Sequence, residues 1–468
     1  MFRWLIMCCL IMVSLPILAQ ETDVPLYDNA LFSFPAPEGW TDASTGDMAH
    51  FISPDGAVNL YAFALFSGDS QALPVQIIPD FVGTPVQSNP VPLGVLTWTQ
   101  DVYILDSGEL LAMIYYADET GVIYVLGVKG LQTALGGVTP VLNEVLLNFV
   151  IKSIDTSVPS APYDDPSAYT EQEVMVITGR WELGGTLLTP VGEELFPAVV
   201  IVHGSGPSDR DGTVSGVNKP YRDLAQGLAS NGVAVLRYDK RTLVYRADSA
   251  DDVVNLTVDD ETINDALSAI ALLRNMPNID PNRIYVVGHS MGGMLAPEIA
   301  QRDNQLAGII ILAGNSRSLV DVALEQMDYL QPLPINSSDE AQSVINQMRA
   351  DLQAINQLTP DSDPNQLLFG AYTPYWLDML VYDQIATAQN LEIPLLILQG
   401  ERDYQVTMQD FELWQSSLAD KADVTFISYP ALNHLFLAGE GVSTPVEYAI
   451  QSHIPEEVIS DIVNWIVG

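Results

Sequence analysis

Ile284-Tyr285-Val286-Val287-Gly288-His289-Ser290-Met291-Gly292-Gly293 is the stretch on which the fold turns. Its four leading residues are apolar, as in a strand buried on both faces. Met291–Ala300 then reads as a helix. Strand passes into helix through one tight turn that holds Gly288, Gly292 and a single serine. Such a turn lifts a serine hydroxyl clear of the backbone, and flanking glycines remove the side chains that would clash. The helix N-terminus adds partial positive charge where an oxyanion would form. A Gly-rich turn with Ser290 as a helix cap would use the same residues, so Ser290 as nucleophile rests on its surroundings.

Outward from that turn, strand and helix patterns alternate. Val174–Ile177 and Gly185–Leu188 read as an opening antiparallel hairpin, and Ala198–Val202 is an unbroken apolar run. Val233–Leu236, Gly308–Leu312, Leu395–Leu398 and Val424–Ser428 read as further strands. Tyr221–Ser230, Val258–Arg274, Met408–Leu418 and Pro455–Val467 have helical spacing. The pattern predicts an α/β domain over 174–468, a mostly parallel sheet with helices on both faces. A helical cap insertion at about 315–392 interrupts it, with a helix near Ala341–Leu358. Residues 21–157 predict a small α+β accessory domain. Its runs Val58–Phe66, Val95–Thr99, Ala112–Ala117 and Val122–Val128 alternate, and Gly137–Asn148 is helical. Residues 158–173, rich in Pro, Ser and Asp, are expected to be a linker.

A serine hydroxyl needs a base, and the chain has five histidines. His50 lies in the first domain, His289 inside the turn, and His203 at the end of an early strand. His434 follows the last apolar strand by a short loop, which puts it at the same sheet edge as Ser290. His453 lies at the approach to the final helix and is expected at the surface, so His434 is the predicted base. The acid is expected between serine and histidine, just beyond a strand. Asp403 in Gly400-Glu401-Arg402-Asp403 meets that requirement, with Glu401 as the alternative. Ser290 would attack, His434 would take and return the proton, and Asp403 would orient the imidazole. The predicted oxyanion donors are the N–H of Met291 and that of Ser205 or Gly206, in His203-Gly204-Ser205-Gly206.

Composition bounds the rest. Residues 1–19 combine Arg3, an apolar run and small Ala19, the layout of a signal peptide cleaved after Ala19. The expectation is an exported protein, extracellular or periplasmic, with no membrane span after cleavage. Cys8 and Cys9 are the only cysteines, so the mature chain is expected to have no disulfide, no thiolate metal site and no cysteine nucleophile. With 59 acidic against 18 basic residues the formal charge is −41, which disfavours nucleic acid and anionic membrane surfaces.

With these residues in hand, 174–468 resembles the α/β-hydrolase superfamily. The run His203-Gly204-Ser205-Gly206-Pro207-Ser208-Asp209-Arg210-Asp211-Gly212 is similar to that of bacterial carboxylesterases acting on short-chain acyl esters. Tyr238-Asp239-Lys240-Arg241, the serine turn, Tyr375-Trp376 and Asn433-His434 fit the same group. The resemblance implies a serine esterase for short- to medium-chain acyl esters, with no metal or organic cofactor and a small-molecule ester as partner. Tyr375 and Trp376 in the insertion are candidates to line the acyl pocket, with core packing as the alternative reading. The chain departs from the group after Arg241, where Thr242-Leu243-Val244-Tyr245-Arg246 replaces a Gly-x-Gly stretch. The Asp209–Gly212 run and Asp239-Lys240-Arg241 could contact substrate or form a structural ion pair. Phe32-Ser33-Phe34-Pro35-Ala36-Pro37-Glu38-Gly39-Trp40 in the first domain resembles small PsbP-like domains. Rival expectations are an aminopeptidase-like serine peptidase or a thioesterase on the same triad, and a non-catalytic binding protein on a hydrolase scaffold.

Overall fold

The computed structural model describes residues 26–29, 31–45, 48–66, 73–78, 81, 83–93, 96–118, 122–152, 158–215, 217–245, 253–333 and 339–468. The predicted leader and its cleavage site at Ala19 lie outside the described residues. Among the described residues, no helix is long and apolar enough to cross a membrane.

The N-terminal unit is β-rich. Seven antiparallel strands lie in the order Thr41–Asp42, Ala49–Ile52, Val58–Phe66, Val122–Gly130, Leu110–Ala117, Leu96–Ile104, Gln87–Leu93. Gln87–Leu93 escapes a pattern search because Pro90 and Pro92 interrupt it. It is tolerated because it is an edge strand that, among the described residues, pairs only with Leu96–Ile104. Helix Thr139–Leu147 buries Leu142 and Val145 among Phe32, Phe34, Phe51 and Trp98.

In the second unit we number the strands β1 (Tyr169–Thr178), β2 (Trp181–Pro190), β3 (Phe196–Val202), β4 (Ala234–Tyr238), β5 (Ile279–His289), β6 (Gly308–Leu312), β7 (Leu395–Gly400) and β8 (Val424–Tyr429). They form one sheet in the order β1-β2-β4-β3-β5-β6-β7-β8. β1 pairs antiparallel with β2 and β2 with β4, and every later pair is parallel. Every residue of β3, β4, β6 and β7 is buried, as strands covered on both faces require. The main helices are α1 (Pro220–Ser230), α2 (Asn264–Arg274), α3 (Met291–Arg302), α4 (Leu319–Leu330), α5 (Asp339–Ile355), α6 (Thr373–Val381), α7 (Gln384–Asn390), α8 (Met408–Ser417) and α9 (Glu456–Val467). The stretch between β6 and β7 holds α4 to α7.

Residues 158–173 differ from the expected linker. β1 begins at Tyr169, and its exposed Thr170–Glu173 face solvent from an edge strand, so an apolar period is missing where a strand still forms. The residues before it are fastened down: Arg222 donates to the carbonyls of Val158 and Pro159, and Tyr163 donates to that of Ile454 at 2.8 Å.

The two units have separate cores, one drawn wholly from Phe32–Ile151 and the other from Tyr169 onward. A chain trimmed to 158–468 is therefore expected to unfold in a single cooperative transition that coincides with one of two transitions in the full chain. Calorimetry checks this, and failure of the trimmed chain to fold would mean that its core needs the first unit.

Candidate active site

Parallel register brings the ends of β3 and β5 together. Val202 faces Gly288 across the sheet, so His203–Gly204 leaves β3 beside His289–Ser290 leaving β5. Ser290 sits at φ 56°, ψ −122°, a left-handed conformation that a side chain adopts only under constraint. The constraint is the close approach of α3. A Cβ on Gly288 would strike the carbonyl of Gly292, and one on Gly292 would strike those of Val202 and His203. Gly204 lies as near on the other flank, its Cβ position 3.1 Å from the Cβ of Ser290.

β7 and β8 end at the same edge, with Gly400 opposite Tyr429. Asp403 follows β7 and His434 follows β8, both buried. His434 Nδ1 lies 2.7 Å from Asp403 Oδ2. A carboxylate only accepts, so Nδ1 carries the proton and donates, which leaves Nε2 as an acceptor. Asp403 is itself held by three further donors: Gln405 N at 2.7 Å, Val406 N at 3.0 Å and Gln399 Nε2 at 3.1 Å. Among the described residues, neither His434 Nε2 nor Ser290 Oγ has a hydrogen-bond partner. Glu401 points elsewhere and accepts from Ser428 Oγ at 2.8 Å on an exposed surface. Arg402 pairs with Glu447, which also accepts from Asn433 Nδ2 at 3.2 Å. The Asn433 amide oxygen takes the N–H groups of Leu435 and Leu437, shaping the loop that carries His434.

His289 is fully used in structure. Its Nε2 is 2.8 Å from the carbonyl of His434 and must donate to it, so Nδ1 accepts from the Tyr221 hydroxyl at 3.0 Å. Tyr221 in turn accepts the N–H of Gly204 at 3.3 Å. A single buried chain thus links the Gly204 turn, the end of β5 and the His434 loop. Burial, reinforced by the charge His434 can carry, pushes the pKa of His289 down to about 3. Burial and the nearby Lys240 push His203 down to about 3 as well. His453, predicted at the surface, faces the buried Asp223 at 3.1 Å and is partly covered.

Met291 N begins α3, where a helix leaves its first N–H groups without intrahelical partners. Among the described residues, the N–H groups of Ser205 and Gly206 are likewise unpartnered. One ion pair joins the Asp209–Gly212 run to Asp239-Lys240-Arg241, Arg210 to Asp239 at 2.7 Å, while Lys240 and Arg241 turn to Glu261 at 2.6 Å and Asp265 at 2.5 Å. Tyr375 donates to Glu261 at 2.7 Å and its hydroxyl lies 3.5 Å from the sulfur of Met291. Trp376 directs its indole N–H to the carbonyl of Leu368 within the insertion, at 2.8 Å. Sequence reasoning missed Tyr221 and Glu261. Tyr221 looked like one more apolar residue of α1, and Glu261 one of several acidic residues ahead of α2. Among the described residues, no group of His, Cys, Asp and Glu is arranged to hold a metal ion.

A model of the alpha/beta hydrolase family matches residues 199–449. Over 306 residues the chain is 39% identical to an esterase, EstD, of Thermotoga maritima, covering 65% of this chain and 69% of that one. It is 29% identical over 154 residues to the quorum-quenching protein AidA of Acinetobacter baumannii, covering 33% of this chain and 44% of that one. Among solved structures, an esterase of Pyrococcus furiosus superposes with a TM-score of 0.42 at 17% identity, covering 64% of this chain and 90% of that one.

Asp403→Asn would present an amide where a carboxylate now accepts, and the imidazole would lose its orientation. The rate at which Ser290 reacts with a fluorophosphonate is expected to fall about 10³-fold or more. Glu401→Gln is expected to stay within about 3-fold of the parent rate, since Glu401 does not touch His434. The reverse order of effects would move the acid to Glu401.

The buried histidines also set a pH dependence of stability. In the unfolded chain they take up protons near pH 6.5, whereas folded His203 and His289 resist to about 3. Between those values the unfolded state binds more protons, so stability rises with pH and is lost on acidification. Each histidine contributes a slope of ~1.4 kcal/mol per pH unit. Urea unfolding from pH 6 to pH 4 should show a shallower slope in His289→Gln, and an unchanged slope would remove His289 from this role.

Proposed function

Because the chain belongs to the alpha/beta hydrolase family, we propose that it is a serine carboxylesterase that works through an acyl-enzyme on Ser290. The observation that carries this reading is the buried 2.7 Å contact between His434 and Asp403, at the same sheet edge as a serine held at φ 56°. The 39% identity to an esterase supports the choice of an ester as substrate.

In the first step His434 Nε2 takes the Ser290 proton while Oγ bonds to the ester carbonyl carbon. The oxyanion then sits against the N–H of Met291 and those of Ser205 or Gly206. Collapse expels the alcohol, which leaves with the proton from His434, and Ser290 remains acylated. Water attacks next, giving its proton to His434, and the second tetrahedral intermediate releases the carboxylic acid and restores Ser290. Asp403 keeps Nδ1 protonated throughout and balances the imidazolium of each half-reaction. Both products form without a change of redox state, so no electron carrier is required.

Short- to medium-chain acyl esters are the proposed substrates, on the resemblance of the His203–Gly212 run. Tyr375 is the member of the Tyr375-Trp376 pair nearer the chemistry, through its contact with Met291. The apolar leader ending at Ala19 supports export, with removal of the leader before the enzyme acts.

A fluorophosphonate probe should label the wild-type protein and leave Ser290→Ala unlabelled. A panel of 4-nitrophenyl esters from acetate to laurate, run beside aminoacyl anilides, should show turnover of the shorter esters and none of the anilides. Equal labelling of Ser290→Ala would sink the nucleophile, and anilide turnover above ester turnover would make the protein a peptidase.

A further inference from the structure

Lys240 is a charged residue with almost no access to solvent, and its ammonium faces the site. It donates to the carbonyl of Gly204 at 2.8 Å and pairs with Glu261 at 2.6 Å, the two side chains being 2% and 7% exposed. The backbone N–H of Lys240 holds the carbonyl of Ser208 at 3.0 Å, so one residue fastens the chain at Gly204 and again four residues later. The carbonyl of Gly204 and the N–H of Ser205 belong to one planar peptide unit. In a trans peptide they point in opposite directions. Fixing the carbonyl on Lys240 therefore fixes the direction of the Ser205 N–H on the far side, in a turn that abuts Ser290. A cation on the carbonyl also draws charge through the amide, which makes that N–H a stronger donor. Glu261 continues outward to Tyr375 on α6, whose hydroxyl it accepts at 2.7 Å.

We propose that Lys240, held in place by Glu261 and Tyr375, is a positioning residue for the oxyanion: it orients and polarises the Gly204–Ser205 peptide. This rests on the esterase reading above, and it adds a physical tie between the helices inserted after β6 and the chemistry at Ser290. The pair is buried and costly to desolvate. A purely structural staple would be expected to affect folding more than turnover. A positioning role predicts instead that the loss falls on kcat while KM is kept.

The test compares Lys240→Met/Glu261→Gln, which removes both charges together, with Tyr375→Phe, which removes the hydroxyl that Glu261 accepts and that also lies against the Met291 sulfur. Three quantities are read: kcat and KM on 4-nitrophenyl butyrate, the inhibition constant of a trifluoromethyl ketone, and the rate of fluorophosphonate labelling at Ser290. The double variant is expected to lose about 10- to 100-fold in kcat with KM within about 3-fold. The inhibition constant should rise, and the labelling rate fall, by a similar factor, because each adduct places an oxygen on the same donors. Tyr375→Phe should show a smaller loss of the same kind; a rise in KM instead would make Tyr375 a substrate contact and overturn its part. A folded double variant with kcat and labelling rate within about 3-fold of wild type would overturn the proposal. If the double variant does not fold, Tyr375→Phe decides by the same criterion. If wild type hydrolyses no ester while the double variant still slows labelling, the esterase reading fails and the role of Lys240 stands.

Discussion

Helix α3 can begin directly after Ser290 only because Gly288 and Gly292 let its first turn lie against the carbonyls at the end of β3. Any side chain at either position would push the helix away, and the serine would relax toward an ordinary backbone conformation. The φ of 56° at Ser290 costs about 1–3 kcal/mol, which the packing of α3 offsets. Met291, Met294, Leu295 and Ile299 are all buried against the central strands, so the helix is anchored far beyond its first turn. The strain is thus supported by the core of the sheet, and the hydroxyl stands out from the backbone at the point where β3, β5 and α3 converge.

That convergence buries polar groups, and each must be satisfied. Two hydrogen-bonded chains do this. One runs from Gly204 N–H through Tyr221 and His289 to the carbonyl of His434. The other runs from the Gly204 carbonyl through Lys240 and Glu261 to Tyr375. Both start on Gly204, one at each end of the residue, so its backbone has little freedom to rotate. The neutral state of His289 matters here. A protonated ring would have no acceptor for the Tyr221 hydroxyl, and burial keeps the proton off down to about pH 3. The acidic surplus of the chain, −41 overall, lies mostly elsewhere. At the centre, cations and carboxylates are matched pair by pair, as Arg210–Asp239, Lys240–Glu261 and Arg241–Asp265 show.

Chain order made much of this legible. A buried strand leaves a long apolar run, and residues just past such runs fall at one sheet edge, so Ser290, Asp403 and His434 could be gathered without coordinates. Periodicity also gave the antiparallel run Val58–Phe66 with its observed bounds. Side-chain direction was not legible. Glu401 and Asp403 share one turn, and only the turn's geometry sends one outward and the other to His434. Edge strands were obscured for a related reason: Gln87–Leu93 tolerates two prolines and Tyr169–Glu173 tolerates a polar face because neither must be covered on both sides. Partners far apart in sequence were hidden altogether. Nothing local to Glu261 distinguishes it from Asp259 and Asp260, yet only Glu261 of the three is buried and meets Lys240.

Ser290, the proposed nucleophile, directly follows β5, whereas Asp403 and His434, the proposed acid and base, stand on the turns after β7 and β8, which Gln399, Gln405 and Asn433 fasten. The proposed oxyanion turn likewise has no strand beneath it after Val202, and a glycine-rich loop is free to choose between peptide orientations. A rigid donor there requires contacts from outside the sheet. Those come from α1, through Tyr221, and from the segment after β4, through Lys240. The inserted helices reach both sides of the site: Tyr375 on α6 meets Glu261 and lies against Met291, while Gln326 on α4 donates to the carbonyl of Gln405 at 3.0 Å, beside Asp403. A group packed against the insertion would therefore bear on the proposed oxyanion donors and on the Asp403 turn alike, through hydrogen-bonded contacts on each side.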